Sequence, residues 1–130
     1  MWIIKKFYTI RLRPKRKSWA ELGTTKAEAM VRARVLVKAK LEYWNQFYNF
    51  SYNHVASKAH KSRWGSCSRL KNLNFNCKII FLPEALVDYI VVHELCHLQE
   101  LNHGKNFWHL VGQAMPDWKI RRQALRKIHI

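Results

Sequence analysis

Residues 83–101 place apolar side chains around much of a helix's circumference, at Leu86, Val87, Ile90, Val91 and Leu95. Such a helix has little surface to give to water and must be the central buried helix of the fold. Pro83 suits its first position, and Glu84 complements the positive end of its dipole. The same segment carries His93, Glu94 and His97. Residues four apart share a helix face, so His93 and His97 can offer two imidazole nitrogens to one metal ion while Glu94 projects beside them. This is the H-E-x-x-H spacing of zinc hydrolases.

Two histidines leave a catalytic zinc site short of its usual three protein ligands. His103 is the candidate for the third. Residues 98–102 are enough for the helix to finish, and Asn102 and Gly104 tolerate the backbone of a helix stop, so the chain can double back and bring His103 to the metal. One zinc ion per chain, held in this way, would lower the pKa of a water towards about 7, and Glu94 would polarise that water and take its proton. The competing reading of the same residues is a pair of structural histidines and a solvated helix carboxylate.

A chain of 130 residues, 48% of them apolar, supports a single folded domain over 1–130 and excludes intrinsic disorder. No segment is apolar enough to span a bilayer, since the best run is bounded by Asp88 and His93, and residues 1–6 lack the apolar stretch of a signal peptide. The expected location is cytoplasmic, without membrane association. Three cysteines do not make a disulfide framework. A hairpin turn near Leu70 would set Cys67 opposite a residue near Leu73 rather than opposite Cys77, and Cys96, off the face shared by His93 and His97, reads as packing.

The charge balance is +16, from 24 Lys and Arg against 8 Asp and Glu. A surface this basic favours polyanions such as nucleic acid or phosphate-bearing substrates, although a generally basic proteome gives the same excess. The densest run, Arg11, Arg13, Lys15, Arg16 and Lys17, reads as a solvated loop.

Residues 2–12 read as a strand ended by Pro14. Thr25 and Glu28 fit a capping box that opens a long helix to about Tyr48, with Ala29, Ala33, Leu36, Val37, Trp44, Phe47 and Tyr48 as its buried stripe. Lys40 falls in that stripe and fits it poorly. Residues 52–59 and 73–82 read as strands, with Arg63-Trp64-Gly65-Ser66-Cys67-Ser68 as a strand end and turn between them. Helices over about 105–115 and 117–128 follow the motif helix. Met115 reads as an apolar helix-end residue. The expected class is α+β: a small, mostly antiparallel sheet packed on the long helix and the central H-E-x-x-H helix, with C-terminal helices after them.

Several motifs then occur in a familiar order. Lys61-Ser62-Arg63-Trp64-Gly65-Ser66-Cys67-Ser68, Leu73-Asn74-Phe75-Asn76, Leu82-Pro83 and Asp88-Tyr89-Ile90-Val91-Val92-His93-Glu94-Leu95-Cys96-His97 resemble the YgjP-like metallopeptidase family of bacterial and archaeal zincins. The resemblance runs on through Asn102-His103-Gly104-Lys105-Asn106-Phe107-Trp108 and Met115-Pro116-Asp117-Trp118, covering roughly 20–128. It implies a minimal zincin fold, with His93, His97 and His103 as zinc ligands and Glu94 as catalytic base. It also implies three departures. Residues 1–18 supply a shorter N-terminal β-region than is usual, a turn glycine is replaced by Lys71 next to Asn72, whose left-handed conformation would shift the turn, and the residue after the third histidine is Gly104.

In zincins a sheet strand borders the cleft, and an extended peptide could pair with its edge; strand 73–82 and the turn before it are the expected wall. Trp64 would cover one side of the site and Arg63 would meet a carboxylate or phosphate, unless they are a core plug and a surface charge. His60, Arg63 and His109 are the candidates for stabilising an oxyanion. The expected activity is zinc-dependent hydrolysis of peptide bonds. The alternatives are a metal-dependent nucleotide (UTP) pyrophosphatase, an activity assigned to similar members, and a nucleic-acid-associated zinc protein or protease. Against the nucleotide reading, no glycine-rich phosphate loop is present, and three histidines suit zinc better than magnesium.

Overall fold

The computed structural model describes residues 16–130 and, before them, the backbone pairing of two short antiparallel strands, β1 (Ile4–Lys5) and β2 (Tyr8–Thr9). The remainder of the strand expected over 2–12, with Arg11, Arg13 and Lys15, lies outside the described residues.

Helix α1 (Lys26–Tyr48) begins at the expected capping box: the Glu28 amide donates to Thr25 Oγ1 (3.2 Å) and the Thr25 amide to Glu28 Oε2 (3.3 Å). It ends where Asn49 turns left-handed, with the Asn45 side chain bonded to both backbone groups of Phe50. Its fully buried residues are Ala29, Ala33, Val37 and Leu41, with Leu36, Trp44 and Tyr48 half-buried beside them. Phe47, expected in the stripe, is 58% exposed. The stripe advances 29-33-37-41-44-48, and one residue from Tyr48 is about 100° around the helix. Lys40 finds its role at the edge of the stripe, where its Nζ meets Glu84 Oε1 (2.6 Å) and Asp88 Oδ1 (2.9 Å).

Strands β3 (His54–Lys58), β4 (Gly65–Cys67) and β5 (Asn72–Asn76) form a sheet in the order β3-β5-β4. The sheet is mixed rather than mostly antiparallel: β5 pairs antiparallel with β4 and, over more residues, parallel with β3. Strand β5 is paired along both edges, and Leu73 and Phe75, on one face of it, are fully buried in the core that α1 shares. Cys67 pairs with Leu73, as the turn position predicts, and Cys67, Cys77 and Cys96 are all free thiols. The turn is not shifted towards Asn72; Lys71 itself takes the left-handed conformation, at φ 63°.

The strand expected over 73–82 stops at Asn76. This buried side chain accepts from the Lys78 amide (3.0 Å) and donates to the carbonyls of His60 (3.0 Å) and Arg63 (3.1 Å). Those bonds divert the backbone into a 3-10 helix, Cys77–Phe81, despite the β-branched Ile79 and Ile80.

Helix α2 (Glu84–Cys96) is buried at nine of its thirteen residues, as its all-round apolar pattern demands. It is shorter than the 83–101 expected, because the chain turns at 97–99. Helix α3 (Lys105–Ala114) and α4 (Trp118–Arg126) close over it, joined by Met115, which is buried at the end of α3. Among the described residues no helix is long and apolar enough to cross a membrane.

Candidate metal centre

His93 lies in the last turn of α2, and His97 caps that helix with its backbone still helical. The chain then turns tightly, with the Glu100 amide bonded to the Cys96 carbonyl (3.0 Å), and returns His103 just before α3 begins. The three Nε2 atoms meet in a triangle: 3.2 Å between His93 and His97, 2.9 Å between His97 and His103, and 3.0 Å between His103 and His93. In a tetrahedral zinc site with Zn–N of about 2.0–2.1 Å, the nitrogens stand about 3.3 Å apart. The triangle therefore fits a small N-ligated cation.

Two of the three imidazoles have partners that favour the form a metal needs. His97 Nδ1 lies 2.8 Å from the Glu100 carbonyl, which can only accept, so Nδ1 carries the proton and Nε2 is a free lone pair. His93 Nδ1 lies 3.3 Å from Tyr89 Oη, which can accept in the same way. Burial, then the neighbouring His97 and His103, hold His93 down at about 3, and burial lowers His97 as well. Phe107 supports the group from below the motif, stacked on His97 at 4.3 Å between ring centroids and edge-on to His93 at 5.0 Å.

Glu94 is 5% exposed, with Oε1 3.9 Å from His93 Nε2. Its Oε2 is buried without any hydrogen-bond partner among the described residues. Burial pushes the carboxyl up to about 8, against the opposing charge of Arg63. A buried carboxylate oxygen with no partner, beside three convergent nitrogens, fits a site that receives a cation and a water.

A cavity of about 250 Å³ opens beside His93 and Glu94, with Trp64, Tyr89, Arg122 and Arg126 among its lining. Trp64 is thus at the site. Arg63 is exposed and does not line this cavity, although its charge reaches Glu94. Neither His60 nor His109 lines it: His60 is half-buried, with burial lowering its basicity, and His109 is exposed on α3. Of the expected wall, strand 73–82 and the turn before it, the part against the site is the turn segment, which forms β4, because β5 occupies the middle of the sheet.

Tyr89, Arg122 and Arg126 are site residues that the sequence pattern does not single out. Tyr89 is within its reach, lying four residues before His93 on the same helical face. Arg122 and Arg126 also share a face of α4, but nothing local says that α4 docks against α2.

The family model of the YgjP-like metallopeptidase domain matches residues 3–128. The chain belongs to this family. Among similar solved structures are the metallopeptidase zymogens abylysin of Pyrococcus abyssi and jannalysin of Methanocaldococcus jannaschii. Abylysin is 22% identical, with a TM-score of 0.63 over 70% of this chain and 92% of its own. Jannalysin is 23% identical, with a TM-score of 0.59 over 70% of this chain and 94% of its own. They share the α+β fold of this YgjP-like domain. No curated protein matches the sequence. Family membership together with the histidine triad makes this YgjP-like protein a metallohydrolase.

Proposed function

We propose that this YgjP-like domain is a zinc-dependent peptidase in which His93, His97 and His103 hold the ion and Glu94 is the general base. The observation that carries the reading is the triangle of Nε2 atoms, none more than 3.2 Å from another, beside a buried carboxylate with an unpartnered oxygen. Three imidazoles suit zinc, which when bound lowers the pKa of a water to about 7 and polarises a carbonyl. Glu94 accepts the proton of the attacking water and passes it to the leaving amine. Its burial keeps the carboxyl basic enough for that exchange, and a cation beside it brings the pKa down from about 8. Tyr89 and the Glu100 carbonyl orient two of the imidazoles. Among the described residues β4 is an edge strand, so an extended peptide can pair with its outer side and present its carbonyl to the site.

The test is elemental analysis and peptide cleavage on zinc-loaded wild type and Glu94→Gln, with UTP offered in parallel. The expected result is about one zinc in both proteins, cleavage by wild type alone, and a loss of about 10²–10⁴-fold in the variant. Undiminished cleavage by Glu94→Gln would remove the proposed base. Turnover of UTP without any peptide cleavage would replace the peptidase reading with the nucleotide one.

A further inference from the structure

Two adjacent arginines on α4 are used differently. Arg121 is fully employed in holding the fold: its Nε donates to both Asp117 oxygens at 3.1 Å and its Nη1 to the Ala85 carbonyl at 3.1 Å. Arg122 is half-buried and, among the described residues, has neither an ion pair nor a hydrogen-bond partner. It is nevertheless fixed in place, with its guanidinium carbon 4.8 Å from the centroid of Trp108. Trp108 stacks on Trp118 at 4.2 Å and lies against His103 at 5.9 Å between centroids. The aromatic group that anchors Arg122 is thus the one that touches the metal centre.

Arg126, one turn along the same face of α4, lines the same cavity and is likewise unpaired among the described residues. Unpaired cations are common on the surface of so basic a chain. A pair of guanidinium groups lining a cavity shared with His93 and Glu94 is a different matter. Among the described residues Glu94 is the one carboxylate in that lining, and it forms no ion pair with either arginine. The rest of the wall includes Trp64, Ile90 and Leu125. A cavity of about 250 Å³ is smaller than most drug-sized ligand sites and suits a single residue. Its makeup, apolar walls with two guanidinium forks that have no protein partner among the described residues, matches a short methylene stem ending in a carboxylate.

We propose that this cavity is a carboxylate pocket, in which Arg122 and Arg126 bind an acidic side chain or the free C terminus of the peptide beside the scissile bond. The inference rests on the peptidase reading for its substrate, and on the cavity alone for its ligand chemistry.

Binding is tested first, on the zinc-loaded full chain, by following the tryptophan NMR signals during titration. Three probes of nearly equal shape separate the sources: N-acetylglutamic acid α-amide carries only the side-chain carboxylate, N-acetylglutamine only the terminal one, and N-acetylglutamine amide neither. At least one carboxylate probe should bind about tenfold or more tighter than the neutral probe. Arg122→Gln and, at an exposed position with little risk to folding, Arg126→Gln should each reduce that preference, while Arg122→Lys should keep part of it. The same side-chain or terminal preference should then appear in kcat/KM for peptides ending in acid or amide and carrying Glu or Gln near the cleaved bond. Equal binding of all three probes overturns the pocket. So does a preference that survives both arginine substitutions, since the carboxylate would then be held elsewhere, for example on the metal. Arginine-dependent binding without cleavage of any peptide would uphold the pocket and sink the peptidase reading.

Discussion

A Cβ added to Gly65 would stand 2.9 Å from Glu94 Cγ and 3.2 Å from Glu94 Cδ, so the backbone of β4 lies directly against the side chain proposed as the base. The same atom would stand 3.2 Å from the Asn74 carbonyl on the neighbouring strand, which leaves β4 no easy retreat. Gly65→Ala should therefore move Glu94 rather than the sheet. Zinc content and far-UV circular dichroism should be unchanged, while kcat falls on the order of 10²-fold, the usual consequence of a base displaced by about 1 Å. Adding Gly65→Ala to Glu94→Gln should then cost little more than Glu94→Gln alone. A fully active Gly65→Ala enzyme would show that Glu94 is seated by something other than β4.

Tyr89 has a comparable role on the metal side. Its buried hydroxyl lies 3.3 Å from Nδ1 of the half-buried His93, where it can accept a hydrogen bond from that nitrogen and leave Nε2 for the proposed metal. Tyr89→Phe keeps the ring and removes only the oxygen. Chelator competition should show zinc bound about 10–100-fold more weakly, with the histidines themselves in place. Unaltered affinity would mean that packing against Phe107, 5.0 Å away between centroids, is sufficient to orient His93.

The three-histidine cluster could be read in advance because it depends on local geometry: four residues within a helix, then a short return. The capping box at Thr25 and Glu28 is local in the same sense. Sequence and structure part where distant partners decide the outcome. Leu41 lies inside the buried stripe and Phe47 outside it, because periodicity fixes a stripe only to within about a residue, while the neighbouring elements select its centre. Ile79 and Ile80 have strand propensity, yet the bonds from Asn76 to the carbonyls of His60 and Arg63 turn the chain first. Arg122 carries no signal in sequence at all, since its place in the cavity depends on how α4 crosses α2.

Lys71 occupies a position where the backbone favours glycine. Its φ of 63° closes the turn between β4 and β5, where the Lys71 amide bonds the Ser68 carbonyl at 2.9 Å. A residue with a Cβ is disfavoured there by about 1–2 kcal/mol, of which the greater unfolded-state freedom of glycine returns about 0.5–1 kcal/mol. Lys71→Gly should raise the melting temperature by a few degrees and leave kcat/KM alone. A lower melting temperature would indicate that the lysine side chain stabilises the turn by more than its backbone strain.

Lys40 ties α1 to α2 by contacts with two very different carboxylates. Glu84 is 79% exposed and its attraction is screened by water, whereas Asp88 is 16% exposed and also accepts from Trp44 Nε1 at 3.1 Å. Desolvation of Lys40 is the largest single influence and lowers its pKa, but the hydrogen bonds and charges of the two carboxylates together outweigh it and raise the pKa above 10.5. The folded protein thus holds this proton more tightly than the unfolded chain does. Its stabilisation is fully present below the unfolded value of about 10.5 and is lost as pH rises through the folded one. Lys40→Met keeps the apolar stem and should destabilise the protein by about 1–3 kcal/mol at pH 8, chiefly by leaving Asp88 short of a partner. Asp88→Asn should be felt similarly, and Glu84→Gln hardly at all. In urea melts of wild type and Lys40→Met, the gap at pH 8 should narrow as pH rises beyond the ordinary lysine value of 10.5. A constant gap across that range would assign the stabilisation to packing of the lysine stem and not to its charge.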